Sequence, residues 1–164
     1  MKIPVSLTRR PLGWGLIGRL SWVGLLAIVA ATTMNVSIGY LAIMFLDISK
    51  TFFVLIGYLA LTALGISGLY LPLSWYGTIV PFTVVGVAGA TAVYAIIICY
   101  SPSPIRLFSW ISGVALVLSF IPDISLLALS VAGTTPLSVG VLMLMHVSAF
   151  LVSFGMLTRL VPPK

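Results

Sequence analysis

Apolar and polar positions along this chain separate into long uncharged runs joined by short polar breaks. Five runs stand out, at residues 20–46, 52–71, 77–100, 107–132 and 137–158. Each is long enough to cross a hydrocarbon core of ~30 Å as a helix rising ~1.5 Å per residue. The breaks are Asp47-Ile48-Ser49-Lys50, Pro72-Leu73-Ser74-Trp75-Tyr76, Ser101-Pro102-Ser103-Pro104 and Gly133-Thr134-Thr135-Pro136. Backbone left unpaired by a turn needs water, so breaks of this kind belong at the two membrane interfaces. Trp14, Trp22, Trp75, Tyr76, Tyr100 and Trp110 fall near run ends, where interfacial aromatics belong. The pattern predicts an all-α, polytopic transmembrane helix bundle of five apolar helices, with residues 1–164 forming one integral membrane domain.

Composition gives the same answer. The 164 residues are 61% hydrophobic and 6% charged, against about 25% charged in ordinary soluble domains. Too few ionised side chains exist to cover a water-facing surface, so the bilayer is the expected surroundings. The net charge of +6 does not point to nucleic acid. Lys2, Arg9, Arg10, Arg19, Lys50, Arg106, Arg159 and Lys164 all lie outside the runs and read as anchors facing anionic lipid. The first run continues to Leu46, far beyond a signal-peptide core of ~7 to 15 residues, so Val29-Ala30-Ala31 reads as part of an uncleaved span. The expected location is a bacterial inner membrane, multi-pass. The single Cys99 sits in Ala95-Ile96-Ile97-Ile98-Cys99 and reads as a small buried hydrophobe.

Topology turns on the second run. If 52–71 crosses, Arg106, Arg159 and Lys164 face away from the basic N-terminus. If it is re-entrant or interfacial, they share that side, which is worth roughly 3 kcal/mol at ~1 kcal/mol per basic residue. The run holds eleven Leu, Ile, Phe or Val residues. Their insertion gains ~3 to 7 kcal/mol at −0.3 to −0.6 each. Five crossings are therefore expected, with four crossings plus a re-entrant or interfacial segment 52–71 as the alternative.

Helices in lipid pack closely where small residues let backbones approach. Gly86, Ala88, Gly89, Ala90 and Ala92 supply such residues in the third run, with Gly86 and Ala90 four apart on one face. Gly86, Gly89 and Ala90 are the expected packing positions. Asn35, beside Thr32, Thr33 and Ser37, needs a polar partner inside the membrane and is expected to find one across helices, with a ligand role as the other reading.

Few residues could carry chemistry. Gly13-Trp14-Gly15-Leu16-Ile17-Gly18 matches a dinucleotide fingerprint, but no strand precedes it. One histidine and two aspartates furnish neither a catalytic set nor a metal cluster, so no catalytic residue and no metal site is expected. Asp123 and His146 are the exception. Residues 107–121 alone would be too short to cross, so the fourth helix should run through Pro122, with Ser119 or a facing group satisfying the freed carbonyl. Asp123 then stands ten residues before Gly133 and His146 ten after Pro136, which puts both ~15 Å deep in an antiparallel hairpin. A charged Asp there costs about 2.5 to 3.5 kcal/mol unless neutralised or paired. Other readings stay open: Asp123 could cap residues 124–132, and His146 could bond a backbone carbonyl or Asn35. His146 could also ligate a haem or chlorophyll, with Met143, Met145 and Met156 as core filler.

The segments Pro81-Phe82-Thr83-Val84-Val85-Gly86, Ser103-Pro104-Ile105-Arg106-Leu107-Phe108, Leu118-Ser119-Phe120-Ile121-Pro122-Asp123 and Leu144-Met145-His146-Val147 resemble a family of small bacterial multi-spanning membrane proteins of unknown function. The resemblance covers the chain from Pro81 onward, and Trp22 to Asn35 less fully. It implies four spans, from which 52–71 departs, and it carries no activity or cofactor. The leading functional expectation is a non-enzymatic scaffold or accessory subunit packed against a membrane partner or a second copy, with the lipid bilayer and no nucleic acid as its surroundings. The alternative is a proton or small-solute conductor or sensor using Asp123 and His146, and pigment or haem binding through His146 is the third reading.

Overall fold

A computed structural model describes residues 13–66 and 74–163. Lys2, Arg9, Arg10, Lys164, Pro72, Leu73 and the end of the second apolar run lie outside them. The chain is all-α, with α1 Trp14–Phe45, α2 Lys50–Ala63, α3 Trp75–Tyr100, α4 Pro104–Ala128 and α5 Pro136–Leu160. α1, α3, α4 and α5 are long and apolar enough to cross a membrane.

Local chemistry sets the boundaries. Pro104 and Pro136 open α4 and α5 at first-turn positions where a missing N–H costs nothing. Ser49 and Ser74 cap α2 and α3 by accepting from the N–H of Thr51 and Gly77. Thr135 and Ser138 form a reciprocal capping box on α5. Gly65 ends α2 in the left-handed region (φ 73°), its N–H bonding Thr62 O at 3.0 Å and that of Ile66 bonding Leu61 O at 2.9 Å. This pair of bonds is the six-to-one closure that glycine favours.

Two apolar clusters fix the arrangement. Leu20 and Val23 of α1, Tyr94 and Ile97 of α3, Phe108 of α4 and Leu157 of α5 pack together at one end. Ala42 of α1, Phe52 and Phe53 of α2, Ile79 of α3, Leu126 of α4 and Leu142 of α5 pack at the other. The start of α1, the end of α3, the start of α4 and the end of α5 therefore share one end, which makes an up-down four-helix bundle with α1 against α3 and α5.

Among the described residues the helix count agrees with the sequence reading, but the described part of the second run, α2, is too short to cross. α2 spans 14 residues, about 21 Å, and both it and α3 begin at the end where α1 finishes. This is the arrangement of the four-crossing alternative. The insertion gain of 52–71 is met differently, because Phe52 and Phe53 are buried among the ends of the other helices instead of facing lipid. Arg19, Arg106 and Arg159 consequently stand towards one end of the bundle, with Asp47 and Lys50 at the other.

Close packing also falls elsewhere than expected. A Cβ on Gly86 or Gly89 would meet nothing within 4 Å, and both glycines are exposed, while Ala90 packs at the edge of the Tyr94 cluster. Backbones instead approach side chains at Gly24 (Thr91), Gly39 (Ile79) and Gly57 (Thr78), where a Cβ would come within 2.6–2.8 Å of its neighbour. The buried stripe of α1, including Gly24, Ala27, Ala31, Asn35, Gly39 and Ala42, is the small-residue seam of the bundle.

A candidate intramembrane polar groove

α4 passes through Pro122 without ending, so Asp123 is an internal helical residue and not a cap. Ser119 donates to Leu116 O at 2.7 Å rather than to the carbonyl that Pro122 frees. The helix stops at Ala128, short of residue 132, by the same closure as α2: Ser130 adopts φ 49°, and Val131 N–H reaches Leu126 O. Residues 129–135 then fold back, with Val131 on the apolar cluster and Gly133 (φ 79°) beside Phe52. Asp123 thus lies five residues from the end of α4 and His146 ten from the start of α5. The equal residue counts from the turn expected of a simple hairpin do not hold.

The two side chains nonetheless meet, with His146 Nδ1 at 3.2 Å from Asp123 Oδ2. Nδ1 also lies 2.9 Å from Leu142 O. A carbonyl can only accept, so Nδ1 carries the hydrogen, and that one hydrogen is shared between Leu142 O and the carboxylate. Leu142 O has the better geometry, which leaves Asp123 Oδ2 buried without a full hydrogen bond. With Nδ1 committed, Nε2 is the free position of the ring. It has no hydrogen-bond partner among the described residues, and the His146 side chain is 41% exposed while that of Asp123 is 9% exposed. An imidazole so oriented accepts at Nε2 when neutral; a proton added there makes an imidazolium that neutralises the carboxylate beside it.

Both residues line a groove of about 590 Å³. Its floor is α5, with Leu142, Met145, Ala149 and Ser153, and α2 contributes Phe53 and Ile56. Its lips are the exposed residues Phe82, Gly86, Gly89 and Val93 of α3 and Ile111, Ala115 and Pro122 of α4. Each lip covers eleven residue steps, a slot about 16 Å long on the flank of the bundle between α3 and α4. The Gly86–Gly89 stripe is therefore a smooth wall of this slot.

Asn35 of α1 also lines the groove, with both ends of its amide bonded. Ser148 donates to its Oδ1, its Nδ2 donates to Thr83 Oγ1 at 3.0 Å, and Thr83 donates to Ile79 O at 2.8 Å. One amide thus ties α1 to α3 and α5. Sequence reasoning missed Thr78, whose hydroxyl is buried in the groove lining without a hydrogen-bond partner among the described residues. Nothing in the sequence separates it from Thr91 or Thr83, which donate to carbonyls four residues back. No group of three or more potential metal ligands occurs among the described residues.

Comparison with family models, curated proteins and solved structures finds no match for this chain.

Proposed function

We propose that this chain is a non-enzymatic, multi-pass protein of a bacterial inner membrane in which Asp123 and His146 act as one proton-binding unit, in the manner of a sensor. The contact between His146 Nδ1 and Asp123 Oδ2 at 3.2 Å carries the reading. An uncompensated carboxylate is costly at this depth, whereas the pair holding one proton is neutral overall. Among the described residues, Asp123 and His146 are the only titratable groups lining the groove; α1, α2 and α3 present apolar side chains, hydroxyls and the Asn35 amide to it. The end carrying Arg19, Arg106 and Arg159 is the cytoplasmic one by the positive-inside rule.

A sensor is favoured over a conductor because the pair lies between two buried apolar clusters. Tyr94, Phe108 and Leu157 close one end and Phe52, Phe53 and Ile79 the other. The small-residue positions Gly86, Gly89 and Ala90, which a scaffold role would use for helix packing, line the slot instead.

The test uses the fact that the chain has one histidine. Protein labelled with 15N-histidine in zwitterionic nanodiscs gives a single imidazole to titrate against pH. Asp123→Asn should shift its midpoint. An unchanged midpoint would remove the proposal.

A further inference from the structure

Both apolar clusters separate the Asp123–His146 pair from the bundle ends, while the slot between α3 and α4 leaves His146 open on the flank. On a membrane-spanning bundle that flank faces lipid, so whatever meets Nε2 arrives through the bilayer. The volume of about 590 Å³ falls within the range of small-molecule sites.

The polar groups of the slot define its complement. No Lys or Arg among the described residues lines it, and Asp123 contributes a carboxylate, so anionic phosphate or carboxylate heads are disfavoured. Ser112, Ser119 and Thr83 donate their hydrogens to Phe108 O, Leu116 O and Ile79 O, which leaves them as acceptors. Nε2 of the neutral ring is likewise an acceptor. An ammonium head would add an uncompensated charge whenever the pair already holds its proton. A hydroxyl suits both states of the pair, donating to Nε2 of the neutral ring and accepting from Nε2–H of the imidazolium. Thr78, 4% exposed and without a partner among the described residues, adds a buried hydroxyl in the same lining.

We propose that the slot between α3 and α4 binds a lipid-soluble molecule of the long-chain phenol or alcohol class, its hydroxyl hydrogen-bonded to His146 Nε2 and its tail lying along the Gly86–Gly89 wall. This rests on the reading of Asp123 and His146 as the polar unit of the groove, and it assigns that unit a ligand.

The experiment uses 4-dodecylphenol, with 4-dodecylanisole as the matched probe lacking the O–H and dodecyl phosphate as the anionic one. Each is titrated into 15N-histidine-labelled protein in zwitterionic nanodiscs while the His146 Nε2 resonance is followed. Saturable movement with the phenol and none with the anisole supports the assignment. Gly86→Leu fills the slot where an added side chain starts in open space, so the fold should survive while apparent affinity falls on the order of tenfold. Equal responses to phenol and anisole, no response to either, or a stronger response to the phosphate would each overturn it. The pH titration of the same resonance without probe reports proton binding separately, so a failed ligand and a failed proton site give different results.

Discussion

Asp123 stands five residues from the end of α4, His146 stands ten from the start of α5, and the two meet at 3.2 Å. The offset exists because residues 129–135 are not helical and fold back beside Phe52. An ordinary helical hairpin with a tight turn would have placed residues of unequal depth apart. The connection is thus part of what builds the pair.

Breaking the pair from one side should be worse than removing it. His146→Ala leaves a buried carboxylate uncompensated and should destabilise the folded protein by about 1–3 kcal/mol, between an average interhelical hydrogen bond in a membrane and a stranded charge. Adding Asp123→Leu to that variant should restore most of the loss. Thermal unfolding in mild detergent reads both, and a double variant as unstable as His146→Ala would show that the pair contributes packing rather than charge compensation.

Asn35 should behave as a structural tie. Asn35→Ala removes the contacts to Thr83 and Ser148 and should cost about 1–2 kcal/mol, at roughly 0.6 to 1 kcal/mol for each membrane hydrogen bond. The pH response of His146 should persist in this variant. Loss of that response with the fold intact would move Asn35 into the proton-binding unit.

Small residues on α1 and α3 should respond in opposite ways. Ala31 is fully buried, and Ala31→Leu should overpack the seam by about 1–3 kcal/mol or more. Gly86→Ala meets open space and should be neutral or stabilising by up to about 1 kcal/mol through helix propensity. Equal destabilisation by the two would place a packing partner on the Gly86 wall.

The end of α2 supplies a purely conformational test. Gly65 has φ 73° and no neighbour within 4 Å of an added Cβ, so Gly65→Ala should cost about 1 kcal/mol by backbone strain alone. A melting temperature equal to that of the parent would contradict the left-handed closure.

The membrane-spanning bundle was legible because hydrocarbon demands long uncharged runs, and four of the five runs became long helices. The second misled because summing the apolar character of 52–71 counts how well it partitions, not whether lipid or the helix ends around Phe52 and Phe53 receive it. The signal against a crossing was Gly65, a stop residue inside the run. Asp123 and His146 were legible as rare ionisable residues on neighbouring helices, although the depth argument that linked them assumed a hairpin without the fold-back at Ser130 and Gly133. The packing seam was readable in the spacing Ala27, Ala31, Asn35, Gly39, four residues apart on α1. The Gly86 stripe has similar composition, and only three-dimensional contact distinguishes a seam from a groove wall.

The central claim is that His146 opens on the bilayer and not on water. Paramagnetic broadening of its 15N-labelled imidazole by dissolved oxygen, which concentrates in lipid, can be compared with broadening by a water-soluble nickel chelate in the same nanodiscs. Strong broadening by oxygen and little by the chelate is the expected result. The reverse order would mean that water reaches the pair, and the groove would then be an aqueous path.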